Sequence, residues 1–227
     1  MHKGKNAMNI HAIYRLLPSS RRKRMQCFIE RIQPTAETRI LDIGGYSETW
    51  RDFPIGSKIT LLNLPKYAEK PQSPERFEYV YGDGRRLEYT DGEFDIVFSN
   101  SVIEHVGSKD QQRAFAAEAR RVGKAYWVQT PAKEFPLEPH LLTPFIHWLP
   151  AHWVPRLLRF FTVWGWITRP TREQARAFWA EIRPLTGREV RELFPDATIL
   201  VQRFIGIPKS YIAYRRAREK EKRAALF

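Results

Sequence analysis

The chain has 227 residues, 43% of them apolar, a single cysteine and a formal net charge of +13. That apolar share excludes general disorder and the length suits one domain with an embellishment, while the lone Cys27 excludes an internal disulfide. With no charged start followed by an apolar core and a small-residue cleavage site, a reducing, cytoplasmic setting is expected.

The charge sits at the ends: residues 1–29 carry +7 and residues 215–227 carry +4, which leaves +2 for the body. A groove that tracks a nucleic-acid backbone needs basic residues throughout the domain, so nucleic acid is not the expected partner. Basic ends on a near-neutral body suit solubility or contact with anionic lipid.

In chain order, Ile10 to Ile32 has apolar residues at mostly helical spacing, interrupted near Pro18, and is expected to cover one edge of a sheet. Apolar runs then recur at Arg39–Ile43, Ile59–Leu64, Phe77–Tyr81, Phe94–Asn100 and Ala125–Thr130, separated by loops or helix-compatible stretches, which predicts parallel strands. The first run ends in Asp42 and meets Gly44-Gly45, a carboxylate beside a glycine turn through which backbone approaches a ligand closely. Lys109–Val122 has Ala and Phe on one stripe and Arg, Gln and Glu on the other, a crossover helix. Near the end, Thr186 is expected to cap an amphipathic helix that stops before Pro195, and Ala197–Phe204 and Lys209–Arg215, separated by Gly206 and Pro208, read as an antiparallel pair. The fold class expected is α/β, doubly wound, with a mostly parallel seven-stranded sheet, an antiparallel last strand and a helical insert after strand five.

Four segments occur in a telling order: Ile40-Leu41-Asp42-Ile43-Gly44-Gly45, Tyr81-Gly82-Asp83-Gly84-Arg85-Arg86-Leu87, Phe94-Asp95-Ile96-Val97-Phe98-Ser99-Asn100 and Val102-Ile103-Glu104-His105-Val106. Together they resemble the class I S-adenosylmethionine-dependent methyltransferases, of the type 11-like kind, with a Rossmann-like sheet, over roughly Arg39 to Arg215. The resemblance implies S-adenosylmethionine as cofactor, held by Asp42, Gly44, Gly45, Tyr46, Asn63, Leu64, Asp83, Gly84, Arg85, Ser99 and Asn100. Three departures accompany it. Tyr46 and Glu48 stand where alternating glycines are common, Asn63 replaces the usual ribose-binding acid, and Ser101 replaces the first acid of a metal-binding Glu-x-x-Glu-His found in some relatives, so no bound metal is expected. Asp95 is expected to hold a neighbouring loop as often as it touches a ligand. A nicotinamide-binding fold is disfavoured, since Gly-x-Gly-x-x-Gly and an acid after the second strand are both missing.

The stretch Pro136-Leu137-Glu138-Pro139-His140 resembles a bacterial methyltransferase subgroup with a Pro-Glu-Pro-His-like insert, some of them associated with saccharide assembly. That resemblance puts Glu138 and His140 where a general base acts, with His105 a further candidate; a strut role for either histidine stays open. Domain limits are expected at 1–34 for a basic helical cover, 35–215 for the methyltransferase domain with an aromatic-rich insert at 131–185, and 216–227 for a basic tail. Residues 141–168 hold four of the seven tryptophans, and their charges, prolines and histidines exclude a membrane crossing. Two readings of the insert stay open: a lid over the pocket, or an interfacial patch that reaches a lipid-linked acceptor at the inner face of an anionic membrane. The expected partner is thus a small-molecule, saccharide or lipid-linked acceptor. The alternatives are a non-catalytic binding protein that kept the fold and, less favoured, a nucleic-acid methyltransferase, for which no Asn-Pro-Pro-Tyr-like base-flipping segment follows the fourth strand.

Overall fold

Most of the continuous apolar runs become strands buried on both sides, as central parallel strands flanked by helices must be, while Phe77–Tyr81 forms a partly exposed edge. The computed structural model describes residues 18–53, 57–67, 71, 73, 75–138, 141, 143–150 and 152–217. In chain order the elements are α1 (Pro18–Ile32), β1 (Ile40–Ile43), α2 (Ser47–Trp50), β2 (Ile59–Asn63), β3 (Phe77–Tyr81), β4 (Phe94–Asn100), α3 (Lys109–Val122), β5 (Gly123–Pro131), β6 (Leu137–Glu138), β7 (Thr143–Pro144), α4 (Val154–Phe161), α5 (Val163–Thr168), α6 (Arg172–Ala180), α7 (Gly187–Leu193), β8 (Thr198–Phe204) and β9 (Ile207–Arg215).

The main sheet has seven strands in the order β3-β2-β1-β4-β5-β9-β8. Pairings from β3 through β5 are all parallel, and β9 runs antiparallel to both β5 and β8. The expected fold class, a mostly parallel seven-stranded Rossmann-like sheet whose last strand is antiparallel, is what the structure shows. Order reverses at β1, whose neighbours are β2 on one side and β4 on the other; at such a switch point an open α/β sheet offers a crevice for ligands outside the carboxyl ends of its strands.

Alternation along each strand divides the core in two. Leu41, Ile43, Val97, Tyr126 and Val128 face α3, whose Phe115, Ala116, Ala119 and Val122 complete one cluster. Ile40, Ile96, Phe98 and Trp127 face the other way, against Met25, Phe28 and Ile32 of α1. These three sit three and four residues apart, one stripe of a helix. The sequence suggested cover for a sheet edge; α1 instead covers a sheet face, because Phe28 lands on Trp50, Phe98 and Trp127 in edge-on ring contacts at 5.1 to 6.0 Å. Pro18 is the first residue of this helix, where its missing N–H costs no helical partner. The expected helix from Ile10 otherwise falls outside the described residues.

Local chemistry sets the other ends. α3 starts in a capping box of Ser108 and Gln111, and α7 in one of Thr186 and Glu189. At the amino end of the sheet Asp95 accepts the Arg39 N–H at 2.9 Å and the Lys124 ammonium at 2.8 Å, tying β4 to the entries of β1 and β5. Burial raises its pKa, yet those two partners outweigh it and hold the carboxyl below its usual range. The Arg121 guanidinium does the same for Glu118, against burial. A carboxylate depressed in the folded state contributes stability above its unfolded pKa of about 4, and loses it as pH falls through the lower folded value. Thermal melts should therefore show a falling melting temperature between pH about 5 and about 2; a flat profile would contradict these assignments.

Candidate active site

At the crevice the chain turns sharply after β1. Gly44 adopts φ +76°, a left-handed conformation that side chains disfavour, and donates its N–H to the Leu62 carbonyl at 2.8 Å. Gly45 folds down onto Asp42: a Cβ on Gly45 would stand 1.7 Å from the Asp42 carboxylate. Asp42 is only 1% exposed and accepts the Trp50 Nε1–H at 2.7 Å. Asn63 closes the arrangement from β2, donating its Nδ2–H to the Gly45 carbonyl at 2.7 Å. The side chains at the ends of β1 and β2 thus converge on one turn, where they fix its backbone from below. Tyr46, next along the turn, and Leu64, which follows β2, are 44% and 37% exposed and offer apolar surface at the ends of these two strands.

The end of β3 joins the same crevice, with Gly82 donating its N–H to the Asn63 carbonyl at 3.0 Å. Asp83 receives Arg85 as a fork, through Nε at 2.9 Å and Nη2 at 2.6 Å, and also accepts the Arg85 backbone N–H. The Arg85 guanidinium holds the Asp83 carboxyl below its usual range, against the opposing effect of burial. Arg85 also donates to the Val106 carbonyl at 3.1 Å, which links β3 to the loop after β4. A side chain at Gly84 would collide with Ile43 and Phe115, so this turn lies flat on the core.

From β4, Ser99 is buried and donates its hydroxyl to the Ile43 carbonyl at 3.0 Å, while Asn100 is half-buried at the rim. Ser101 adopts φ +58° and donates both N–H and hydroxyl to Gln129, each at 3.0 Å. Glu104, in the 3-10 turn that follows, is buried and accepts the Thr130 hydroxyl at 3.0 Å; its neighbour His105 is exposed. Among the described residues no group of three or more His, Cys, Asp or Glu is placed to hold a metal ion.

A sulfonium nucleoside fits this donor set. The shelf of Tyr46 and Leu64 suits a base or ribose face, the Gly44-Gly45 turn gives backbone access, and Asp83 with Arg85 and Asn100 provides polar groups at the rim. Trp50 and Thr130 were not among the residues singled out from sequence. Trp50 follows Asp42 by eight residues on α2, and only the returning chain brings its indole back over the carboxylate.

The insert leaves the sheet at Pro131 and returns at Leu185, where Ala132 and Leu185 form a parallel bridge. Inside it, Glu138 is buried and accepts the Leu141 N–H at 2.7 Å, so it braces the small β6–β7 hairpin. His140 lies outside the described residues. A separate core of Leu141, Ile146, Val154, Leu158 and Ala175 holds α4 and α6 together, with Trp164 stacked on Phe178 at 4.4 Å. Most of the insert's other aromatics stay in solvent, Phe161 and Trp166 at 66% and 67% exposure. No helix of the described residues is long and apolar enough to cross a membrane. Contacts back to the domain run through Arg183, whose N–H donates to the Glu104 carbonyl at 2.8 Å and whose side chain pairs with Gln112 and Glu189.

Residues 44–125, from the glycine turn to the start of β5, match the family described as methyltransferase domain. Among solved structures, the PH0226 protein of Pyrococcus horikoshii is similar at TM-score 0.54 with 16% identity, over 89% of this chain and 91% of that one. The N-terminal domain of EvdMO1, described in the presence of SAH and D-fucose, is similar at TM-score 0.50 with 18% identity, over 87% and 83%. A Rhodobacter sphaeroides protein described as a putative Zn-dependent alcohol dehydrogenase is similar at TM-score 0.51 with 13% identity, over 85% and 88%. At these identities the likeness carries the fold alone. No curated protein matches the sequence.

Proposed function

From the premise that this chain carries a class I S-adenosylmethionine-dependent methyltransferase domain, we propose that it moves a methyl group from that cofactor to a hydroxyl, carboxyl or amine of a small-molecule, saccharide or lipid-linked acceptor. The observation that carries the reading is the glycine turn at the β1/β4 switch point, clamped from below by Asp42 and Asn63 and flanked by the exposed apolar surface of Tyr46 and Leu64. Bound there, S-adenosylmethionine supplies an electrophilic methyl on a positively charged sulfur.

The chain's own task is to hold donor and acceptor in line. Alignment of this kind is worth up to about 7 to 11 kcal/mol in well-oriented systems, so the chemistry asks little else of the protein. As the acceptor's lone pair takes the methyl, a hydroxyl or amine acceptor must release a proton. His140 is the proposed base, because imidazole titrates near neutral pH; Glu138, being buried, serves as a brace for the loop that leads to it rather than as a second base. His105, exposed on the loop after β4, is proposed to border the acceptor. The saccharide reading draws support from the sugar described with EvdMO1, a protein of comparable fold.

Calorimetry with S-adenosylhomocysteine separates this reading from that of a binding protein that kept the fold and lost the cofactor. Saturable binding is expected; its absence would remove the enzymatic reading. Replacing His140 by Ala should lower turnover of a labelled methyl donor by about 10²- to 10⁴-fold, the usual range for a general base, while S-adenosylhomocysteine affinity is unchanged. Unchanged turnover would remove His140 from the catalytic set.

A further inference from the structure

Between the insert and the start of α3 lies a second cleft, of about 780 Å³, separate from the shelf and turn described above. Its wall carries Arg156 from the first turn of α4, Arg172 and Arg176 from α6, and His152, with Ser108 at the start of α3 and Trp179 as an apolar side. Arg172 and Arg176 are four residues apart and so share one face of α6, and α4 packs against that helix. Among the described residues no Asp or Glu lines the cleft.

These three differ from the arginines that are tied to carboxylates. Arg85, Arg113, Arg120, Arg121, Arg183 and Arg215 each hold a carboxylate at salt-bridge distance. Among the described residues, the side chains of Arg156, Arg172 and Arg176 have neither an ion pair nor a hydrogen bond. Three unneutralised guanidinium groups around one concavity repel one another until an anion enters. The residues 131–185 as a whole carry seven Lys or Arg against four Asp or Glu, so the insert concentrates the body's small positive excess.

We propose that this cleft binds a phosphate or diphosphate group of the acceptor, a specificity that rests on the methyl-transfer reading and narrows it. The guanidinium fork matches phosphate oxygens two at a time, and three such forks answer a group carrying two or three negative charges better than a single carboxylate. The volume exceeds what one phosphate fills and leaves room for the part of the acceptor attached to it. Position supports the assignment: Gly107 lines the cleft, and its neighbour Val106 offers the carbonyl that holds Arg85, so the loop after β4 is the partition between cleft and crevice. An anion anchored on α4 and α6 would lay the rest of the acceptor along that loop, toward the methyl donor.

The test titrates inorganic pyrophosphate into the full chain by calorimetry, and separately measures co-sedimentation with phosphatidylcholine vesicles made with and without phosphatidic acid. The variants are R172A/R176A and the charge-conserving R172K/R176K, with S-adenosylhomocysteine affinity measured on each. Expected is pyrophosphate binding that weakens at least about tenfold in the alanine pair and recovers in part in the lysine pair, with S-adenosylhomocysteine affinity unchanged. Loss of phosphatidic acid-dependent sedimentation in the alanine pair, with no pyrophosphate binding to the parent, would make the phosphate lipid-borne and also sustain the proposal. Binding of neither probe, or binding that the alanine pair leaves intact, overturns it. Failure of S-adenosylhomocysteine to bind any form would instead overturn the methyltransferase reading beneath it.

Discussion

Replacing Gly45 by Ala is expected to weaken S-adenosylhomocysteine binding by about 10²-fold or more and to reduce methyl transfer at least as far, the scale on which misplacing a reacting group by about 1 Å acts. The reason is geometric. The new Cβ would stand 1.7 Å from the Asp42 carboxylate, far inside contact distance, so either the carboxylate or the turn must move. Asp42 is buried and held by the Trp50 indole N–H, which leaves the turn to lift. Lifting it pulls the Gly45 carbonyl from Asn63 and displaces Tyr46 at the lip. The second core cluster beneath stays packed, so the melting temperature should drop far less than the affinity. Calorimetry and a thermal melt on the same preparation decide it; an affinity within about twofold of the parent would mean that the turn does not hold the cofactor.

Phe28→Ala is expected to cost about 3 to 5 kcal/mol of stability, the range for truncating a fully buried phenylalanine. Its ring meets Trp50, Phe98 and Trp127 edge-on, so the substitution removes both buried area and three aromatic contacts worth about 0.5 to 1.5 kcal/mol each beyond area. For a chain of this length that corresponds to a fall of roughly 6 to 20 °C in melting temperature. Since α1 lies under the same cluster that seats Trp50, a secondary loss of S-adenosylhomocysteine affinity should follow. Phe28→Leu, which keeps most of the volume, should recover much of the stability. A melting temperature within about 2 °C of the parent for the alanine variant would mean that α1 is not docked on the sheet.

Elements whose cause is local were legible. β4 and α3 fall where the sequence put them, because continuous apolar runs have no other place than a sheet covered on both sides, and Ser108 with Gln111 marks a helix start by itself. Thr186, read as a cap, announced α7, and the structure adds Glu189 as its partner. Asp95 was expected to brace a loop, and it does so through Arg39 and Lys124.

Side-chain roles were less legible. Asn63 carries an amide that both donates and accepts; sequence pointed to its acceptor side for a ribose and did not show that its donor side holds the Gly45 carbonyl. Glu138 was read as a candidate base from the loop position that the Pro-Leu-Glu-Pro-His resemblance implies; what sequence did not show is that it is buried and accepts the Leu141 N–H. The aromatic density of the insert gave no orientation: Trp164 packs against Phe178, while Phe160, Phe161 and Trp166 stay in solvent. Charge summed by segment made the body near-neutral and concealed the arginines of α4 and α6, because a sum along the chain is blind to which charges have partners.

The sequence by itself determined the sheet, its crossover helix and the glycine turn, since these follow from apolar periodicity, caps and short motifs acting within a few residues of one another, while the class of cofactor came from the resemblance those motifs carry. Only the tertiary structure decided that Trp50 closes over Asp42, that α1 lies on a face, and that Arg156, Arg172 and Arg176 surround one cleft. Each of these joins residues on different elements, and burial, pairing and the direction in which a hydrogen bond is spent exist only once those elements have been brought together.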